Sequence, residues 1–110
     1  MAPPFPVSLL LNDLAVLVVG GGLVAERRTR AFLEAGARVT VIAPALSPEL
    51  AGIHSAGDIV WHERTYVDGD LAGFWLVQIA TNNPEINDLV ASHARERHVF
   101  AFKGGDPAGA

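Results

Sequence analysis

The chain has 110 residues, half of them apolar and 18% charged, with a net charge of −4. That composition fits one globular domain over 1–110 and excludes a disordered tail. A pI near 5.4 argues against nucleic acid as a partner, since phosphates want a basic surface.

There is no cysteine, so disulfides, thiolate metal sites and a cysteine nucleophile are excluded. No apolar run approaches the roughly 18 residues of a membrane span. The opening Met1-Ala2-Pro3-Pro4-Phe5-Pro6 lacks a positive n-region, so no signal peptide is expected. Together these absences predict a cytoplasmic protein.

The proline-rich opening reads as an irregular arm. Leu14 to Val19 is almost wholly apolar, the mark of a strand buried on both faces of a parallel sheet. Gly20-Gly21-Gly22 ends it. Leu23 to Ala35 carries an apolar stripe at helical spacing, with Gly36 where a helix-ending glycine belongs. Arg38 to Ala43 is a second strand, rich in β-branched residues. Ser47-Pro48-Glu49 combines a capping side chain, a first-turn proline and an acid, and starts a short helix running to about Ala56.

Ile59 to Glu63 is the third strand. Tyr66 to Gly73 reads as a loop with a helical turn. Phe74 to Ala80 is the fourth strand, and Asn83-Pro84-Glu85 repeats the helix-start cue for a helix over Pro84 to Arg97. His98 to Phe102 is the fifth strand. Gly104 to Ala110 is rich in glycine, proline and alanine and is expected to fray. Strands alternating with helices predict an α/β, Rossmann-like fold: a parallel sheet of five strands with helices on both faces.

The motif Gly20-x-Gly22-x-x-Ala25 falls between a strand and a helix, the setting a dinucleotide fingerprint requires. Gly20 permits the tight turn, Gly22 lets the backbone approach a pyrophosphate, and Ala25 allows close packing of helix on strand. The usual ribose-binding acid, about 20 residues on, is missing: the second strand ends Val41-Ile42-Ala43-Pro44. No arginine follows for a 2′-phosphate, so NAD and NADP both stay open from the residues alone.

Beyond the glycine turn, LVVGGGLVAERRTRAFLEAGARVTVIAP and LAGFWLVQIATNNPEIN resemble the N-terminal module of siroheme synthases. This is the precorrin-2 dehydrogenase and sirohydrochlorin ferrochelatase family, and the likeness extends from about Phe5 to Phe102. It implies NAD-dependent oxidation of precorrin-2 to sirohydrochlorin, a step of siroheme (porphyrin-type) biosynthesis. In some members it also implies a lyase activity, with ferrous iron inserted as a substrate. By the same resemblance Gly20, Gly22, Leu23 and Val24 line the pyrophosphate, and Pro44 and Ala45 flank the adenosine through their backbone. Thr81 and Asn82 border the nicotinamide.

The family follows its fifth strand with Asn-Val-Val-Asp, whose aspartate is the proposed general base. Here an ungapped alignment puts Gly105 at that position and Asp106 one residue later. Asp106 is therefore the candidate catalytic base, with an exposed Asp-Pro turn as the alternative. The family's substrate is rich in carboxylates, and of Arg27, Arg28 and Arg30 the first aligns with the family's basic position. Arg27 is the candidate substrate contact; for the others a solvated helix face is the simpler reading.

His54, His62, His93 and His98 are scattered, and no fixed metal site is expected. His93 is expected on a helix surface and His98 at a strand start. Asn83 is expected to cap a helix. Trp61, Phe74 and Trp75 read as core or interface residues. The family's homodimerisation segment, its helical domain and its fused methyltransferase have no counterpart in this sequence. Two rival readings remain: a non-catalytic NAD- or tetrapyrrole-binding module with a degenerate site, and a nucleotide-dependent regulatory domain. Ala43-Pro44, where the regulatory class carries an acid, counts against the second.

Overall fold

Val16 to Val19 are apolar and all four are buried, because their strand lies at the centre of the sheet. The computed structural model describes residues 2–104. In chain order the elements are β1 (Ala15–Val19), α1 (Leu23–Glu34), β2 (Arg38–Ala43), α2 (Pro48–Ser55) and β3 (Ile59–Glu63). Then come β4 (Leu76–Ile79), α3 (Pro84–Arg97) and β5 (Phe100–Lys103). The strands form one sheet in the order β3-β2-β1-β4-β5, every pair parallel. The order reverses between β1 and β4, the switch point at which open α/β sheets bind ligands.

Strand alternation divides the core into two layers. Val16, Val18, Val39, Val41 and Leu76 face α1 and α2 with Ala25, Phe32 and Leu50. Leu17, Val19, Ile42, Val77 and Ile79 face α3, with Val90 and Ala94. Between β3 and β4 no helix forms. The connecting loop covers the sheet instead, with Tyr66 and Leu71 buried and Phe74 packed beside them.

The helix ends follow their local chemistry. Ser47 Oγ accepts from the Leu50 amide at 3.2 Å, and Asn83 Oδ1 accepts from Glu85 and Ile86 at 3.0 and 3.3 Å. Gly36, at φ +85°, takes the left-handed position after α1.

Three expectations change. His98 is not a strand residue: it caps α3 in the left-handed conformation (φ +57°), and β5 begins at Phe100. β4 is shorter than Phe74–Ala80, and Trp75, just before it, is 62% exposed, which excludes the core half of its core-or-interface reading. His93 is half-buried and bonded to Tyr66 rather than lying on an open surface. Trp61 is half-buried at the sheet edge and donates its indole N–H to Ala43 O at 3.0 Å.

Candidate functional site

The glycine turn leaves the end of β1 and is held from two sides. Gly20 N donates to Ile42 O at 3.0 Å, and Ser47 N donates to Gly21 O at 2.7 Å. Gly20 sits at φ +130°, where side chains are rarely accommodated, and a Cβ there would overlap the Ala80 carbonyl. A Cβ on Gly21 would overlap the Ala45 carbonyl and lie 3.0 Å from Ala43 Cβ. The turn is thus wedged between the ends of β2 and β4.

Gly22 is different: no atom lies within 4 Å of the place its Cβ would occupy. It is the N-cap of α1 and has no side chain to satisfy the first-turn amides. The first intrahelical bond runs from Glu26 N to Gly22 O at 2.9 Å, so the N–H groups of Leu23, Val24 and Ala25 lack intrahelical acceptors. Open space, free donors and the positive end of a helix dipole make an anion site.

This turn forms one wall of a cleft of about 700 Å³. Gly20, Gly22, Leu23 and Val24 line it on the α1 side, Pro44 and Ala45 after β2, and Thr81 and Asn82 after β4. Every cofactor residue expected from the sequence therefore borders one cavity, and its donor set and open glycine wall fit a dinucleotide pyrophosphate. Gly21, Ser47, Thr65, Tyr66 and Ile86 also line it. None of these was expected. The run of three glycines was a signal for Gly21, whereas Thr65 and Tyr66 come from a loop without periodicity.

The loop after β3 is stapled in place. Arg64 holds Asp70 through two contacts, of 2.7 and 2.8 Å, and Asp70 Oδ2 also accepts from Val67 N at 2.8 Å. The Arg64 hydrogen bonds hold the Asp70 carboxyl below its ordinary value, and the same pairing raises Arg64. Tyr66 is thereby turned inward, where its hydroxyl meets His93 Nδ1 at 2.8 Å. Burial pushes that hydroxyl's pKa up. Behind it, Asp68 lies 3.8 Å from His93 Nδ1 and 2.7 Å from Arg97 Nη2.

A second cleft of about 450 Å³ adjoins the first, sharing Val24, Ala80, Thr81 and Asn82. Its far side is formed by Asn87 and Asp88 of α3 and by Lys103 and Gly104. The Thr81 hydroxyl is engaged with Asn87 Oδ1 and accepts from Asn83 N at 3.1 Å, while Asn87 Nδ2 donates to Thr81 O at 3.0 Å. Asn82 is exposed, and its side chain makes no hydrogen bond within the described residues. Thr81 therefore shapes the loop, and Asn82 offers the free amide.

Arg27 is exposed on α1 and lines neither cleft. Asp106 and Gly105, with the rest of the tail, lie outside the described residues. Among the described residues no group of three histidine, cysteine or acidic side chains is placed to hold a metal ion. No helix among them is long and apolar enough to cross a membrane.

A parallel sheet with a glycine turn, an uncapped helix N-terminus and a cleft at the switch point defines a Rossmann-class dinucleotide-binding domain. Residues 7–108 match the profile of a family described as "Putative NAD(P)-binding", and the chain belongs to it. It is 45% identical over 102 residues to siroheme synthase 1 of Aeromonas salmonicida, an alignment covering 93% of this chain and 22% of that protein. It is 43% identical over 97 residues to a siroheme synthase of Xylella fastidiosa, covering 87% and 20%. A solved structure of SirC, precorrin-2 dehydrogenase, superposes with a TM-score of 0.75 at 35% identity, covering 80% of this chain and 44% of that one. The chain thus spans about a fifth of the length of the curated relatives it matches.

Proposed function

We propose that this chain is the dinucleotide-binding part of a precorrin-2 dehydrogenase in siroheme biosynthesis. The open N-terminus of α1 at the switch point, with a second cleft abutting it, carries this reading. The kinship with siroheme synthases and with SirC supports it.

Bound in the first cleft, NAD⁺ supplies the hydride acceptor. The amides of Leu23 and Val24 hold its pyrophosphate, and the backbone of Pro44 and Ala45 flanks its adenosine. NAD rather than NADP suits this cleft, because none of its described lining residues is a lysine or arginine that could hold a 2′-phosphate. Asn82 borders the nicotinamide with its free amide. Arg27, which lines neither cleft, would meet only a substrate carboxylate that reaches beyond them. Precorrin-2 gives up one hydride and one proton in becoming sirohydrochlorin, and Asp106 would take the proton.

The test is incubation with NAD⁺ and fresh precorrin-2, with NADH and sirohydrochlorin followed together by absorbance. Equal appearance of both is the expected result. NAD⁺ binding without either product overturns the catalytic reading. It would favour the second reading, a binding module without turnover, for which the glycine at position 105 speaks: it occupies the aspartate position of the family pattern.

A further inference from the structure

Lys103 is the one cation among the described residues that line either cleft. It is exposed at the carboxyl end of β5, opposite Ile79 in the register with β4. Its ammonium forms no ion pair within the described residues, Asp88 on the facing helix included.

The backbone that carries Lys103 is fixed in place. Gly104 N donates to Ile79 O at 2.8 Å. The fully buried Gln78 bridges the two strands, its Nε2 donating to Phe102 O at 3.2 Å and to Ile79 O at 3.3 Å. A Cβ at position 104 would overlap Val24 Cγ1, so glycine there lets the strand end close against the first turn of α1. A strand end this well held sets where the lysine stem begins.

The chain as a whole is negative, at −4, and works against an anionic ligand. An unpaired ammonium at a cleft mouth reverses that field locally. Lysine is suited to this, because its apolar stem can lie along the Val24 and Ile79 side of the cleft while its head stays at the solvent rim. The phosphates of a dinucleotide have their own donors, the α1 amides, which open into the first cleft. Lys103 does not border that cleft.

We propose that Lys103 binds a carboxylate of the substrate, making the second cleft a carboxylate subsite beside the nicotinamide end of the dinucleotide cleft. This rests on the dehydrogenase reading above. The carboxylate enters between β5 and the start of α3 and brings the substrate ring toward Asn82. Lys103 fixes its position and takes no part in proton or hydride transfer.

Sirohydrochlorin, the stable product, is the probe. It is titrated by absorbance into the wild-type chain, Lys103→Met and Lys103→Arg, with NAD⁺ titrated in parallel. Lys103→Met should weaken sirohydrochlorin binding at least about 10-fold, while Lys103→Arg stays within about 3-fold, the scale of one charge-assisted contact. Raising the salt should shrink the difference, and NAD⁺ affinity should be the same in all three. Lys103→Met binding sirohydrochlorin as tightly as wild type overturns the subsite and leaves the dehydrogenase reading standing. An equal loss of NAD⁺ and sirohydrochlorin in Lys103→Met moves the lysine to the cofactor and also overturns it. A wild-type chain that binds NAD⁺ and no sirohydrochlorin overturns both.

Discussion

The Ser47 amide donates to the Gly21 carbonyl at 2.7 Å, so the cap of α2 and the glycine turn form one rim of the dinucleotide cleft. The Ala45 carbonyl leaves no room for a side chain on Gly21. Gly21→Ala should therefore push the Ala45 carbonyl away, at a cost of about 1–3 kcal/mol in stability. NAD⁺ affinity should fall with it, by about 10-fold or more if even 1.4 kcal/mol is lost from the bound form. Gly22→Ala makes the contrast: its Cβ meets no protein atom, so the fold should be spared while the approach of phosphate is crowded. Thermal melts and NAD⁺ titrations of both variants check this. Equal losses of stability in the two would sink the assignment.

The Tyr66 hydroxyl and His93 Nδ1 tie the loop after β3 to α3 across the wall of the cleft. Tyr66→Phe keeps the ring and removes the bond, leaving His93 without its closest partner. The expected cost is about 1 kcal/mol, read as a lower urea midpoint at unchanged m. In a double-mutant cycle with His93→Ala, the second substitution should add less than it costs alone. Strict additivity would show that the contact contributes nothing.

Asp70 supplies a pH dependence of known sign. Its carboxyl is held below the ordinary value, chiefly by the hydrogen bonds of Arg64. The staple therefore contributes fully above the unfolded carboxylate pKa, and is lost as the pH falls through the lowered folded value. Asp70→Asn should lower the melting temperature at pH 7, and the gap from wild type should close as the pH falls below the ordinary carboxylate range. A gap that stays constant across that range would mean that the ion pair is not the source.

Local chemistry explains which parts of this architecture were readable in advance. Ser47-Pro48 and Asn83-Pro84 cap their helices through bonds spanning two or three residues, so four letters of sequence suffice. β1 declares its central place because both of its faces are buried. Gly20 and Gly22 could be placed because the turn between strand and helix is itself local. Tyr66 could not, since its role depends on a staple six residues apart and on His93, 27 residues away. The start of β5 was misplaced for a related reason. His98 takes a left-handed cap that is more often glycine's, and Phe100 then joins the ladder only because β4 lies beside it. Lys103 stood out in no motif, and only the neighbouring ends of β4, β5 and α3 give it a setting.

The proton acceptor of the proposed reaction is the last point to test. Asp106 stands one residue beyond the position at which the family pattern has its aspartate, where this chain has Gly105. If Asp106 takes the proton, Asp106→Asn should cut NADH formation by about 10²–10⁴-fold while NAD⁺ binding is unchanged, as expected for loss of a general base. Gly105→Asp would then add little, because the base is already present. If the chain is a binding module with a degenerate site, the wild type is inactive, Asp106→Asn changes nothing, and Gly105→Asp brings no turnover. Measuring NADH release from wild type, Asp106→Asn and Gly105→Asp under one set of conditions separates the two cases. An active wild type that is indifferent to Asp106→Asn would move the base elsewhere, with Asp88, the acidic residue among the described residues lining the second cleft, next in line.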